Sequence, residues 1–340
     1  MKFLMVWLLS LGGASLCAGL NVVASNGIVA DWVRQVGGSM VVVTTFADAG
    51  ADPHHFEPSP RQLGQLGKAD LVVAFGAGLE TWLDDAITAS GSHAMVLELT
   101  DGLDLMEPGE PFWLDMPMLY ADAEHKPPCC KEDALEANEK WAAMIPLMPT
   151  GHAGHDHHGH DHAEYDPHVW LDPQQVVLMV LMINTALVEL DPQNALKYDQ
   201  RREAYLNKLI ELDEWAEARL GEIPASRRIL INYHDNLRYF GRRYGFFTPM
   251  SILGNVSTEA PDPSAKQFAH LLKFIRKLNV PAVFYDASAN PRLAEQVALE
   301  SKLPPPDALY TGNLTPPDGA APDYLTLMRV NVETITSALR

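Results

Sequence analysis

Residues 21 to 44 read NVVASNGIVADWVRQVGGSMVVVT. Asn21 to Ser25 is a short apolar run of strand length. Gly27 to Val36 then carries apolar residues at helical spacing, and Gly37-Gly38 stops it. Met40 to Thr44 is mostly β-branched, the composition of a second strand. Working outward, a breaker-rich loop spans 47 to 60, and Arg61 to Gly67 reads as a short helix. Leu71 to Phe75 (LVVAF) is a buried strand, Leu79 to Ala89 a helix and Met95 to Leu97 another strand. The strands are continuous apolar runs without polar alternation, as expected of parallel strands covered on both faces. Strand and helix alternate, so the first half is expected to be an α/β lobe, with ligands at the loops that follow its strands.

From Thr100 to Tyr165 the pattern gives way to acids, prolines, a helical stretch at Lys131 to Met144 and a histidine run, which reads as an insertion over 100–165. Gln174 to Leu190 is apolar with helical spacing and stops at Asp191-Pro192. Gln193 to Leu220 reads as one amphipathic helix of about 40 Å at 1.5 Å per residue, longer than a lobe needs internally and suited to a strut. Alternation then resumes, with strands at Arg228 to Asn232, Phe247 to Leu253 and Ala282 to Tyr285, and a last one ending at 309–314. The intervening helices are expected at 239–244, 265–278, 293–302 and 324–339. The expected fold is α/β: two lobes, each with a mostly parallel four-stranded sheet flanked by helices, joined by one long rigid helix. The divisions are a signal peptide at 1–19, a first lobe at 20–190, the linking helix at 191–223 and a second lobe at 224–340.

The 340-residue chain has a formal net charge of −19 and no basic patch, so a cation suits it better as partner than nucleic acid or an anionic membrane. Met1 to Leu11 joins one lysine to an apolar run, and small residues follow. This is the pattern of a secretory signal peptide, with cleavage expected near Ala18 or Gly19 and a monomeric extracytoplasmic product. Cys17 raises lipoprotein anchoring, but Leu16 before it fits such processing poorly. No later segment reads as long and apolar enough to span a bilayer. Cys129 and Cys130 are adjacent and form no disulfide framework. A vicinal disulfide, a soft metal contact and a surface pair all fit them.

Two features point to a transition metal. The tract GHAGHDHHGHDHAEYDPHVWLDP, residues 151 to 173, holds His152, His155, His157, His158, His160 and His162, whose imidazoles suit zinc, copper or nickel better than hard cations. His54, His168 and His234 instead stand beside strand ends or in packed contexts, on segments far apart in sequence. His55 reads as accessory to His54, and His93, His125 and His270 as surface residues.

The motifs around these three histidines are Asp52-Pro-His54-His-Phe-Glu-Pro58, Asp166-Pro-His168-Val-Trp-Leu-Asp-Pro173, and Tyr233-His234-Asp235 with Tyr239-Phe240 and Tyr244-Gly245. In that order they resemble the metal receptors of ABC importers, the cluster A-I solute-binding proteins, over nearly the whole mature chain. The resemblance implies metal held between two lobes, with His54 and His168 from the first and His234 from the second, and delivery to a membrane permease. Manganese members typically carry a carboxylate at the position of His234, so imidazole there favours Zn2+. Many members supply a fourth ligand, a carboxylate, just after the last strand, where this chain has Tyr310-Thr311-Gly312-Asn313. The fourth position is therefore expected to be water, with Asn313, Asp286 and Glu57 as alternatives. A zinc buffer that never docks on a permease would have the same ligands. A zinc hydrolase is disfavoured, because the HExxH helix and the two-metal carboxylate cluster are absent.

Overall fold

The structure is a computed structural model, and residues 19–107, 165–258 and 261–340 are described. Residues 1–18 of the expected signal peptide with Cys17, Cys129 and Cys130, the helix expected at Lys131 to Met144, His125 and the six tract histidines lie outside the described residues.

The first lobe is built on a parallel sheet in the order β2-β1-β3-β4, from β1 (Leu20–Ala24), β2 (Val41–Thr45), β3 (Leu71–Ala74) and β4 (Met95–Glu98). Val22, Ala24, Leu71 and Val73 join the main core, while Val23, Val72 and Ala74 pack with Phe46, Leu66 and Leu83 on the opposite face. Burial on both faces accounts for the unalternating sequence of β1 and β3. Helices α1 (Gly27–Gly37), α2 (Pro60–Leu66) and α3 (Leu83–Ser90) connect the strands. Asn26 starts α1 by accepting the Ile28 and Val29 amides. The third helix begins at Leu83 rather than Leu79, because Gly76, Ala77 and Gly78 all have positive φ and turn the chain first.

Helix α4 (Pro173–Leu190) corrects one expectation. At 18 residues with mean hydropathy 1.4 it is long and apolar enough to cross a membrane by length and composition. Its positions Val176, Met179, Val180, Ile183 and Leu187 are nevertheless fully buried in the main core, as in a core helix of a folded domain. Helix α5 (Ala195–Leu220) follows after a corner at Asp191 and a short 3-10 turn, Pro192–Asn194. Its apolar stripe of Tyr198, Tyr205, Leu209, Leu212, Ala216 and Leu220 is buried against α1, α4 and the C-terminal helix.

The second lobe carries α6 (Arg238–Tyr244), α7 (Ala265–Leu278), α8 (Arg292–Ser301) and α9 (Tyr324–Leu339), with two regular parallel strands, β5 (Phe284–Asp286) and β6 (Asp307–Leu309). The strands expected at 228–232 and 247–253 are extended segments rather than regular strands. Leu230 donates to Phe247 O, Phe247 N to Arg228 O and Phe284 N to Ile231 O, so they continue the sheet beside β5. Pairing lapses after Phe247, since Pro249, the next position facing the partner, has no N–H to give, and resumes at Ile252 with Asn232.

The lobes share one continuous apolar cluster that runs through α4 and α5. Polar ties reinforce it. Tyr324 N donates to Asp31 Oδ2 at 3.0 Å and Tyr324 OH to Trp170 O at 2.7 Å, while Gly50 N donates to Leu314 O at 2.8 Å. Where the insertion leaves and re-enters the fold, Asp166 N donates to Met106 O at 2.8 Å, so its two ends are pinned side by side.

Candidate metal centre

His54 lies on a single 3-10 turn, Pro53–His55, whose cap Asp52 accepts the His54 amide at 3.0 Å. The loop before it is held from the second lobe, since Asn313 Nδ2 donates to Asp48 O at 2.8 Å. His168 precedes the short turn Val169–Leu171. Trp170 fixes that turn by donating to Thr311 O at 2.8 Å and stacking on Phe75 with centroids 4.2 Å apart. His234 follows the extended segment that pairs with β5, at the C-terminal end of the second sheet.

These three segments bring three ring nitrogens together. His168 Nε2 lies 3.2 Å from His54 Nε2 and 3.2 Å from His234 Nε2, and the three atoms all fall within 4.8 Å of one another. Two nitrogens bound to one tetrahedral zinc at 2.0–2.1 Å would stand roughly 3.3 Å apart. The cluster has the size of a metal-coordination edge.

Carboxylates set the orientation of two rings. Asp166 Oδ1 lies 2.8 Å from His168 Nδ1 and also accepts the His168 amide at 3.0 Å. Asp286 Oδ2 lies 2.7 Å from His234 Nδ1. A carboxylate at Nδ1 keeps the hydrogen there and leaves the Nε2 lone pair for a cation, the arrangement common behind metal-bound imidazoles. Asp286 is itself held. Its Oδ1 accepts from Asn232 at 3.0 Å, from Asn236 at 2.9 Å and from the Thr311 hydroxyl.

Burial, reinforced by the neighbouring imidazoles His168 and His234, pushes the His54 pKa down to about 3. His168 is held well below its ordinary value by burial and by the proximity of His234. Both rings are neutral donors at physiological pH. His234 goes the other way: burial would lower its pKa, but the Asp286 charge and hydrogen bond raise it overall. The Asp286 carboxyl sits well below the usual range, since His234, Thr311 and Asn236 override the opposing effect of burial. Burial lifts Asp166 to about 6, against the pull of Arg238.

The alternatives for a fourth ligand are placed elsewhere. Both oxygens of Asp286 are occupied in the contacts above. Asn313 is spent on structure, its Oδ1 accepting Gly27 N at 3.0 Å and Leu314 N at 2.8 Å and its Nδ2 bonding the 48–51 loop. Glu57 is exposed, as are His55, His93 and His270. Gly312 lies against Pro53, so that a Cβ there would stand 3.0 Å from Pro53 Cδ. Among the described residues the cluster contains only the three histidines. The sequence reading did not assign the orienting roles of Asp166 and Asp286. The Asp-Pro-His spacing could have suggested the first, but nothing in sequence joins positions 234 and 286.

Three imidazoles converging from both lobes of an α/β protein make a ligand set suited to a transition-metal ion. The family described as ZnuA, zinc-uptake complex component A, periplasmic, matches residues 22–338, and the chain belongs to that family. It is 28% identical over 321 residues to the manganese-binding lipoprotein MntA of Halalkalibacterium halodurans, covering 94% of this chain and 89% of that protein. It is 24% identical over 351 residues to the manganese ABC transporter substrate-binding lipoprotein scaA of Streptococcus gordonii, covering 99% and 98%. The fold matches the periplasmic zinc binding protein TroA from Treponema pallidum with a TM-score of 0.72 at 23% identity, over 94% of this chain and 99% of that one. It also matches the Mn-bound periplasmic metal binding protein from candidatus liberibacter asiaticus, with a TM-score of 0.73 at 21% identity, over 94% and 100%. The chain is thus the metal-binding, extracytoplasmic substrate receptor of an ABC transporter and not an enzyme, and its partners are a metal ion and a membrane permease.

Proposed function

We propose that the cargo is Zn2+, bound by Nε2 of His54, His168 and His234, with water as the fourth ligand, and handed to the permease of an ABC importer. The observation that carries this reading is the ligand set: three imidazoles, two buried and that of His54 partly buried, with no carboxylate among the described residues of the cluster. Neutral nitrogen donors favour zinc over manganese, which prefers oxygen. The competing reading is manganese, favoured by the names of the relatives MntA and scaA. The six histidines from His152 to His162 would capture zinc ahead of the cleft. The mature protein is read as a soluble monomer in which 191–223 joins lobes 20–190 and 224–340, although those same two relatives are named lipoproteins.

The test is competition titration of zinc, manganese and copper on the mature protein, with and without residues 151–161, followed by metal analysis after dialysis. One tight zinc in both forms, with weaker extra sites only in the longer one, is expected. Manganese retained in preference to zinc would overturn the assignment of cargo. Loss of tight binding with the tract would move the site to the tract and favour a zinc buffer.

A further inference from the structure

The chain that leaves β6 is clamped on both sides of Thr311. Before it, Asn331 of α9 grips Tyr310, its Oδ1 accepting the Tyr310 amide and its Nδ2 donating to the Tyr310 carbonyl, both at 2.8 Å. After it, Asn313 accepts from Gly27 N and donates to Asp48 O and Ala51 O, all in the first lobe. Thr311 itself is buried.

From this fixed position Thr311 reaches the metal centre twice. Its hydroxyl donates to Asp286 Oδ1, and Asp286 Oδ2 stands 2.7 Å from His234 Nδ1. Its carbonyl accepts the Trp170 indole N–H at 2.8 Å, and the Trp170 ring lies against His168 with centroids 5.2 Å apart. The other two donors to Asp286 Oδ1 are Asn232 and Asn236, two positions either side of His234 on its own segment. Those two travel with His234. Of the three donors, Thr311 is the one that ties the carboxylate to a different segment. An ionised carboxylate only accepts, so the hydroxyl proton has to point at Asp286, and a β-branched side chain has few χ1 rotamers in which to stray from it. A hydrogen bond to a charged acceptor is also of the stronger kind.

We propose that Thr311 is a positioning residue for the metal centre, its hydroxyl setting Asp286 behind His234 and its carbonyl setting Trp170 beside His168. Two ligands from different lobes are thereby aligned from one clamped residue. This role presupposes ligation by His54, His168 and His234. The two arms are separable, because Thr311→Val keeps the main-chain carbonyl and the branched shape and deletes the hydroxyl alone.

The test uses the mature protein with two probes. One is Zn2+ affinity, measured by competition with a chromophoric chelator. The other is the visible spectrum of bound Co2+, which absorbs strongly in a four-coordinate site and weakly in a six-coordinate one. Thr311→Val should weaken zinc binding about tenfold, the lower end of what losing support behind a ligand histidine costs, and should alter the cobalt band. Thr311→Ser should keep both at the wild-type values. Wild-type affinity and spectrum in Thr311→Val overturn the proposal. A Ser variant as impaired as the Val variant also overturns it, since the loss would then belong to packing of the methyl group. Should Thr311→Val not fold, Thr311→Ser and Thr311→Ala differ by the hydroxyl alone, and equal affinities and spectra in that pair are the overturning result. Wild-type protein that gives a six-coordinate cobalt spectrum fails the three-histidine site itself, and the role of Thr311 with it, so the two failures are told apart.

Discussion

At the scale of single residues, Asp286 decides how the site responds to pH. It raises the His234 pKa above its ordinary value of 6.5, so below that raised value His234 carries a proton which an incoming metal must displace. Metal affinity should therefore fall as the pH drops through this range, with protons released on binding near neutrality. Calorimetry in buffers of different ionisation enthalpy measures the release, and identical apparent enthalpies in all of them would contradict it. Asp286→Asn should remove the release at neutral pH and weaken binding by about 10- to 100-fold, the usual effect of losing the partner behind a ligand histidine. Gly312 sets the second residue-scale prediction. Gly312→Asp should shift preference toward manganese by adding a hard oxygen donor near His54, at the expense of a small displacement of Pro53. An unchanged zinc-to-manganese ratio in competition would mean that position 312 does not address the cargo.

At the scale of elements, the cap of α4 carries a titratable load. Asp172 accepts the Gln174 amide at 2.9 Å, and burial lifts its pKa to about 6 despite that bond. An acid whose folded pKa exceeds its unfolded one binds more protons when folded, so its contribution to stability declines as pH rises from about 4 to about 6. Asp172→Asn keeps an N-cap oxygen and removes the buried charge. It should raise the melting temperature at pH 7.5, the stabilisation being about 3 kcal/mol from a shift of about two units, with little gain at pH 4. A lower melting temperature at both pH values would refute this. The elements themselves were largely legible in the sequence: β1, α1, β2, β3, α4, α5, α7 and α9 lie within a few residues of the runs that announced them. Legibility failed where local chemistry competed with pattern. The 76–78 turn delayed α3, and Pro249 interrupted a ladder that apolar content alone suggested. In the site, motifs exposed the three histidines, whereas the carboxylate behind His234 comes from a strand 52 positions away and only folding reveals it.

At the scale of the whole molecule, α5 and the shared core leave little room for a hinge. The C-terminal helix is bound to α5 by Arg219, which donates to both Glu333 oxygens, and to the first lobe through Tyr324. Closing one lobe over cargo as a rigid body would break these contacts. X-ray scattering of metal-free and zinc-loaded protein should give the same radius of gyration within error, and a clear contraction on loading would show that the lobes move. The hydrogen bond between Asp166 N and Met106 O has a separate consequence. A fold whose chain exits and re-enters through neighbouring residues has, in effect, a socket there. The length inserted at that socket is thermodynamically cheap to change, about 0.6 kcal/mol per doubling of a flexible loop. Lineages could therefore lengthen, shorten or rewrite what is plugged in three residues from His168 while the receptor beneath stays the same.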